Sequence, residues 1–580
     1  MGDLLESLAQ IGTRLEELER RVAVLEHTAQ AERAMPTPAP LHQPPAAAAE
    51  RAFPQAIGVF PVIGKATLGI AGAYLLRAVA ESDAVPKLAV VALALLYGGA
   101  WLVGAARTRA TTRLASITYA ITAALILAPM LGELTLRFRI LSSSVTAGLL
   151  GAFVLGSVAL AWRRRISVVI WVGVITGVCS ALALLVLSHD VVPYLSVLLL
   201  IAGAAEFCAA ARRWLFLRVA VAPALDLALL NAIYIFSLPA GSRTAYPEVA
   251  NSALLMFPSL LLAVNGTSIA FRTLALRQEV TAFEIAQAAI AFLLAGLAWL
   301  WFGSAAGIAA FGVICWLLAA ACYAAAVRCF NRLELRNYRV YAGWSAALVL
   351  AGCFLILPPH LASVLLGILA VLMTVVGVRI ERLMPGYQGL AYLAAAALVS
   401  GLLRYITSVM AGTLPSVSAW TIWLVAGCAI FCYGVGGRRP RERWNQKLLH
   451  FFFAILAVSA VATILVATLA RIIALEMVPS DAPIAVVRIL VVCFFALVLA
   501  YSGRNWQRAE LVWTAYFALA FVAAKLLFGD LHHERSGTIA ISLSAYALTL
   551  IIVPRFGRTA QRLEKVAETE SKAKAAGFMG

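Results

Sequence analysis

The stretch AAKLLFGDLHHERSG, residues 523–537, places Lys525, Asp530, His532, His533 and Glu534 close together, directly after an apolar run. A cation beside a carboxylate is a pairing that can hold a phosphate and move a proton. LLRAVAESD, residues 75–83, repeats the arrangement near the other end of the chain, with Arg77 ahead of Glu81 and Asp83. In both stretches the basic residue stands about one helical turn before the end of the apolar run, and a carboxylate stands about one turn after it. Other charges at the ends of apolar runs are Asp190 beside His189, Arg404, Arg471 with Glu476, and Asp481 with Arg488. A long basic side chain near the end of a membrane helix snorkels to the headgroups at little cost, which accounts for any one of these residues taken singly. The shared design predicts more. Arg77 and Lys525 should line one shallow anion-binding pocket, with Asp83, Glu81 and Asp530 beside them and Arg404 and Arg488 as further cations.

Asp226, in APALDLALLNAIY, is a different kind of candidate because it falls near the centre of its apolar run. A carboxylate there must be protonated or partnered. Glu206, in AGAAEFCAA, lies nearer the end of its run and is expected to pair with Arg212 or Arg213. Metal chemistry is not expected. On a helix the adjacent His532 and His533 would point about 100° apart, which makes them poor joint ligands. The chain has no HExxH, no phosphate-cradling glycine loop and no Gly-x-Ser-x-Gly elbow. Its nine cysteines all lie in apolar runs or at their ends, and Cys428 and Cys432, on one helix face, read as small apolar packing. No metal or cofactor is therefore predicted.

The elements that must position these residues follow from composition. Hydrophobic residues make up 63% of the chain and charged residues 13%, which excludes a soluble globule. Apolar runs of about 18–25 residues recur from residue 60 to residue 554, each long enough to cross the bilayer as a helix. The strict alternation of barrel strands is missing. The net charge of +18 does not indicate nucleic acid, because the basic residues are scattered over many short loops. The predicted fold is all-α: a polytopic bundle of about eighteen spans over residues 56–556. The predicted span centres are residues 70, 96, 122, 151, 176, 200, 226, 261, 290, 314, 348, 370, 397, 427, 460, 493, 519 and 545.

Alternate connections are arginine-rich, among them WRRR at 162–165, Arg212 with Arg213, Arg272 with Arg277, and RRPRER at 438–443. Lys and Arg concentrate in cytoplasmic loops, so this set is assigned inward and the other set, including GDLHHERSG, outward. Both termini are then cytoplasmic, with a basic tail over 557–580. No loop between spans is long enough for a folded extramembrane domain. Ahead of the bundle, Leu4, Leu8, Ile11, Leu15, Leu18, Val22 and Leu25 recur with coiled-coil spacing, predicting a coiled-coil helix over 1–34 that self-associates or binds a protein partner. Residues 35–55 read as a Pro/Ala-rich linker. The start, MGDLLESLAQ, lacks the pattern of a cleavable signal, so the first span should serve as the insertion signal.

The coiled coil, the proline-rich spacer, the opening PVIGKATLGIAGAYLLRAV and the late AAKLLFGDL together resemble the bacterial membrane proteins grouped as domain of unknown function 2339. In that family the first span closes on an aromatic-rich run with a Leu-Lys-Tyr step, where this chain has Arg77 in LLRAV. The resemblance implies many helices in a bacterial cytoplasmic membrane and supplies no activity.

Three functions fit these residues. A transporter or flippase-like protein would surround a path for an anionic or amphipathic envelope molecule, such as an anionic lipid-linked substrate, with Asp226 inside and the outward cations at its mouth. A membrane enzyme acting on lipid-linked sugar or acyl donors would use Glu81, Asp83 or Asp530 as base and Arg77 or Lys525 as phosphate holder. A scaffold would recruit partners through the coiled coil. Short outer loops count against the enzyme and the many spans count against a mere anchor, which leaves transport favoured.

Overall fold

In the computed structural model the described residues run from 86 to 555, with gaps at 109–112, 165–166, 213, 215, 331–334, 412–419, 437–443, 477–480 and 531–536, and include scattered positions before 80. The predicted coiled coil, apart from the helical positions Glu17 and Arg20, the linker and the basic tail lie outside them, as do Arg77, Glu81, Asp83 and the side chain of Asp530. The described residues contain helices and turns and no strand. This is the outcome that apolar length dictates, since in hydrocarbon a helix satisfies its own backbone polar groups.

Fourteen of these helices, from Ala115–Leu136 to Gly537–Arg555, are long and apolar enough to cross a membrane. Each contains one of the predicted span centres. The centre at 397 falls on a broken pair, Leu383–Val399 and Leu402–Ala411, bent by 60°. The centre at 427 falls on a shorter helix, Trp420–Gly436.

The chain divides into two compact units, Met1–Ser188 and His189–Gly580. The first contains α1 (Lys87–Arg107), α2 (Arg113–Leu136), α3 (Ser143–Arg164) and α4 (Ser167–Ser188). Here α1 packs on α2 and α3, and α4 packs on α2 and α3. Small residues permit the close approach of α3 and α4: a Cβ at Gly173 would stand 2.4 Å from that of Ser157. Thr135 and Thr146, both buried, share a 2.7 Å hydrogen bond between hydroxyls of α2 and α3.

The second unit begins with α5 (Val191–Ala210), α6 (Leu217–Ser237), α7 (Asn251–Ala270) and α8 (Ala282–Phe302). It continues through α9 (Ala305–Cys329), α10 (Leu335–Ile356), α11 (Pro359–Ile380), α12 (Leu383–Val399), α13 (Leu402–Ala411) and α14 (Trp420–Gly436). It closes with α15 (Trp444–Glu476), α16 (Asp481–Asn505), α17 (Ala509–Lys525) and α18 (Gly537–Arg555). A large apolar core joins α10 to α17, with Leu366, Leu393, Val425, Phe453 and Val466 fully buried.

Two glycines serve different ends in this unit. At Gly389, where α12 crosses α11, a Cβ would meet Thr374 Oγ1 at 2.6 Å and the Ala370 carbonyl at 2.9 Å. Gly401 has open space around it but a φ of +78°, the left-handed turn that separates α12 from α13. The bend turns α13 into an amphipathic segment, burying Leu402, Tyr405 and Val409 while Arg404 is exposed.

Candidate functional site

Helices α5 to α8 pack as a group, α5 against α6 and α7, and α8 against α6 and α7. Their arginine-rich ends converge. The C-terminal end of α5 brings Glu206, the first turn of α6 brings Arg218, the π-turn Phe271–Ala275 that ends α7 brings Arg272, and the first turn of α8 brings Glu284. Arg218, Arg272 and Glu284 are each 5% exposed. Glu284 Oε1 accepts from Arg218 Nη1 at 2.8 Å and is ion-paired with Arg272. Glu206 Oε2 accepts from Ser268 Oγ at 2.6 Å and lies 3.6 Å from Arg218 Nη1. Two guanidiniums thus neutralise two carboxylates in a setting where an uncompensated charge would be costly.

Local structure fixes each member. Thr281 caps α8: its hydroxyl accepts from the Glu284 N–H at 3.3 Å, while the Thr281 N–H donates to Glu284 Oε2 at 2.8 Å. Such a capping box ties the glutamate to the helix start, leaving the other oxygen of Glu284 to hold the arginines. Arg272 is held from behind by Gln278 Oε1, which accepts from its Nε at 3.1 Å and from its Nη2 at 2.9 Å. The connection carrying Gln278 is clamped by α10, where Asn337 Oδ1 accepts from the Val280 N–H and Asn337 Nδ2 donates to the Gln278 carbonyl, both at 2.9 Å. Tyr341 of α10 adds a 2.6 Å hydroxyl contact to Thr273.

Polar groups continue from this cluster into the apolar interior of the group. One turn beyond Glu284, Gln287 Nε2 donates to Asp226 Oδ1 at 3.0 Å. Asp226 stands midway along α6, three residues after Pro223, which has no N–H to offer the Val219 carbonyl. Along α7, Asn265 lies one turn deeper than Ser268 and is 5% exposed. Toward the opposite end, Trp299 Nε1 of α8 donates to Ser259 Oγ of α7 at 3.2 Å. About 20 Å of helix separates Ser259 from Arg272, at roughly 1.5 Å per residue. Along the series Arg218 Nε, Gln278 Nε2 and Asn265 Nδ2 find no acceptor among the described residues.

The chain matches no family model, no curated protein and no solved structure.

Several expectations change against this geometry. Glu206 does not take Arg212 as its partner: the chain turns sharply after α5, with Arg212 and Trp214 both at positive φ, and returns Arg218 to face it. Arg213 lies outside the described residues. Of the remaining predicted site residues, Arg404 is exposed on α13, Arg488 is buried within α16, and Lys525 is the half-buried last residue of α17. A π-turn, Leu526–Asp530, follows Lys525 directly. Asp226 bonds to Gln287, and among the described residues it makes no bond to Arg404, Arg488 or Lys525. Arg218, Arg272, Glu284 and Gln287 had not been singled out as a site. The Thr-x-x-Glu box in VTAFEIAQ, with Glu284 and Gln287 on one helix face, is the signal that could have revealed two of them.

Proposed function

We propose that the chain is a transporter or flippase-like protein of a bacterial cytoplasmic membrane, moving an anionic or amphipathic envelope molecule along α5 to α8. One observation carries this reading: polar side chains occur at successive depths of that helix group, from the Arg218–Glu284 cluster through Asp226 and Gln287 to Ser259 and Trp299. A bundle serving only as an anchor gains nothing from a mid-span carboxylate, whereas a translocation path needs polar groups along its length. Two prolines fit the same reading: Pro223 and Pro258 lie inside α6 and α7 close to Asp226 and Ser259, and each leaves a backbone carbonyl of its helix without its usual N–H partner. In this proposal about eighteen spans cross the membrane, both termini are cytoplasmic and the arginine-rich cluster closes the cytoplasmic end. The coiled coil self-associates or recruits a protein partner outside the bundle. Kinship with domain of unknown function 2339 rests on the quoted motifs alone and adds no activity.

Translocation is measurable with a lipid probe. Liposomes of phosphatidylcholine and phosphatidylglycerol containing nitrobenzoxadiazole-labelled phosphatidylglycerol should expose inner-leaflet probe to dithionite faster with the protein than without it. Asp226→Asn should slow that exposure. A rate equal to that of empty liposomes would overturn the reading.

A further inference from the structure

We propose that Asp226 is a proton-binding site, and that Gln287 relays its charge state to the arginine–carboxylate cluster one helical turn away. The inference deepens the transport reading by naming a coupling ion, and rests on it for the use of the proton, not for its binding.

Asp226 differs from the other carboxylates of the helix group. Glu206 and Glu284 are paired with guanidiniums, but among the described residues no cation pairs with Asp226, and its one hydrogen bond comes from the Gln287 amide. The titratable groups on the helices packed against α6 are Tyr194, Glu206 and Cys208 of α5, Arg272 at the end of α7, and Glu284 of α8. On α6 itself they are Arg218 and Tyr234. None of them hydrogen-bonds to the Asp226 carboxylate. A metal cation would need several oxygen ligands around it, and among the described residues no three His, Cys, Asp or Glu side chains gather to hold one. A proton needs a single oxygen. At mid-span, proton binding removes the charge that the surroundings solvate least well.

The relay follows from hydrogen-bond chemistry. An ionised Asp226 is purely an acceptor and takes the Gln287 N–H. A protonated Asp226 gains an O–H donor, which the Gln287 amide meets by turning its oxygen toward it. Gln287 and Glu284 share one face of α8, one turn apart. Reorienting Gln287 therefore disturbs the turn of α8 that carries Glu284, and through Arg272 it reaches the linker of residues 271–281. The unmatched donors Asn265 Nδ2 and Arg218 Nε lie on the helices flanking this route, providing groups that a reoriented carboxyl or amide oxygen can meet.

Two measurements on the full-length protein in lipid nanodiscs test the proposal without a substrate. Infrared difference spectra between alkaline and acidic buffer should contain a protonated-carboxyl band that disappears in Asp226→Asn and whose midpoint is displaced in Gln287→Leu. Amide protection factors over residues 271–281, which remove the base-catalysed pH dependence of exchange itself, should fall roughly tenfold on acidification, equivalent to about 1.4 kcal/mol. Asp226→Asn should show the low protection in both buffers. If Asp226→Asn fails to fold, Asp226→Glu should shift the band instead of abolishing it. A band that survives in Asp226→Asn or stays unshifted in Asp226→Glu, or linker protection factors that ignore pH, would overturn the proposal. Should both responses appear while labelled phosphatidylglycerol is not translocated, only the transport reading falls.

Discussion

Replacing Glu284 by Gln removes one charge from the cluster together with the acceptor that Arg218 and Arg272 share. The amide keeps an oxygen for the Thr281 N–H, so the cap on α8 survives and the change isolates the ion pairs. Arg218 and Arg272, each 5% exposed, are then left with Glu206 as the one carboxylate of the cluster, 3.6 Å from Arg218. Breaking a buried pair by removing one partner typically costs about 3–5 kcal/mol. Glu206 offsets part of the loss by drawing Arg218 toward itself, so a cost of about 3 kcal/mol is expected, at the lower end of that range. Reversible unfolding in bicelles by steric trapping would measure it, with Arg272→Gln and the double variant completing a cycle. Contacting pairs give coupling energies of about 0.5–3 kcal/mol, and the double variant should be less damaged than the two single losses added together, by about 1.5 kcal/mol or more. A single-variant loss below about 1 kcal/mol, with additive behaviour in the double, would refute the reasoning that these charges hold the four helix ends together.

The clamp from α10 makes a related prediction: Asn337→Ala removes both hydrogen bonds to the linker, at an expected cost of about 1–3 kcal/mol, and should raise amide exchange at residues 276–281 while leaving α6 unchanged. The glycines should separate by mechanism. Gly389→Ala crowds Thr374 and the Ala370 backbone and should cost about 1–3 kcal/mol by overpacking, whereas Gly401→Ala meets open space and should cost about 1–2 kcal/mol for left-handed backbone alone. Unfolding of the two variants, with Thr374→Ala rescuing the first and not the second, checks the assignment. Reporter enzymes fused after Arg441 and after Asp530 should read cytoplasm and exterior respectively, and the same signal from both would contradict the proposed sidedness.

Helix positions were legible in the sequence because bilayer thickness sets a length that a run of apolar residues either meets or does not. The break in the run centred at 397 was not, since Gly401 is apolar enough to pass as helix and its positive φ is a property of the folded backbone. Asp226 stood out as a charge in an apolar run, but its partner Gln287 is 61 residues away and belongs to another helix. The Thr-x-x-Glu box marks Glu284 as a capping residue but gives no hint of the arginines that reach it from α6 and α7. Glu206 shows the opposite error. Proximity in sequence favoured Arg212, yet the turn after α5 determines which cation faces back, and that is Arg218.

The cluster also bears on how the chain enters the membrane. Glu206 and Arg218 flank one helical hairpin, and Arg272 and Glu284 flank the next. Each hairpin therefore emerges from the ribosome carrying one acid and one base of the cluster at the two sides of its own short connection, so the charges that end up buried can pair before the hairpins meet. The bond from Arg218 to Glu284 forms only when two such units meet. Insertion and assembly thus draw on the same four side chains in succession, and an Arg218→Leu chain should still insert all four helices, by glycosylation mapping, while failing to bring the two hairpins together.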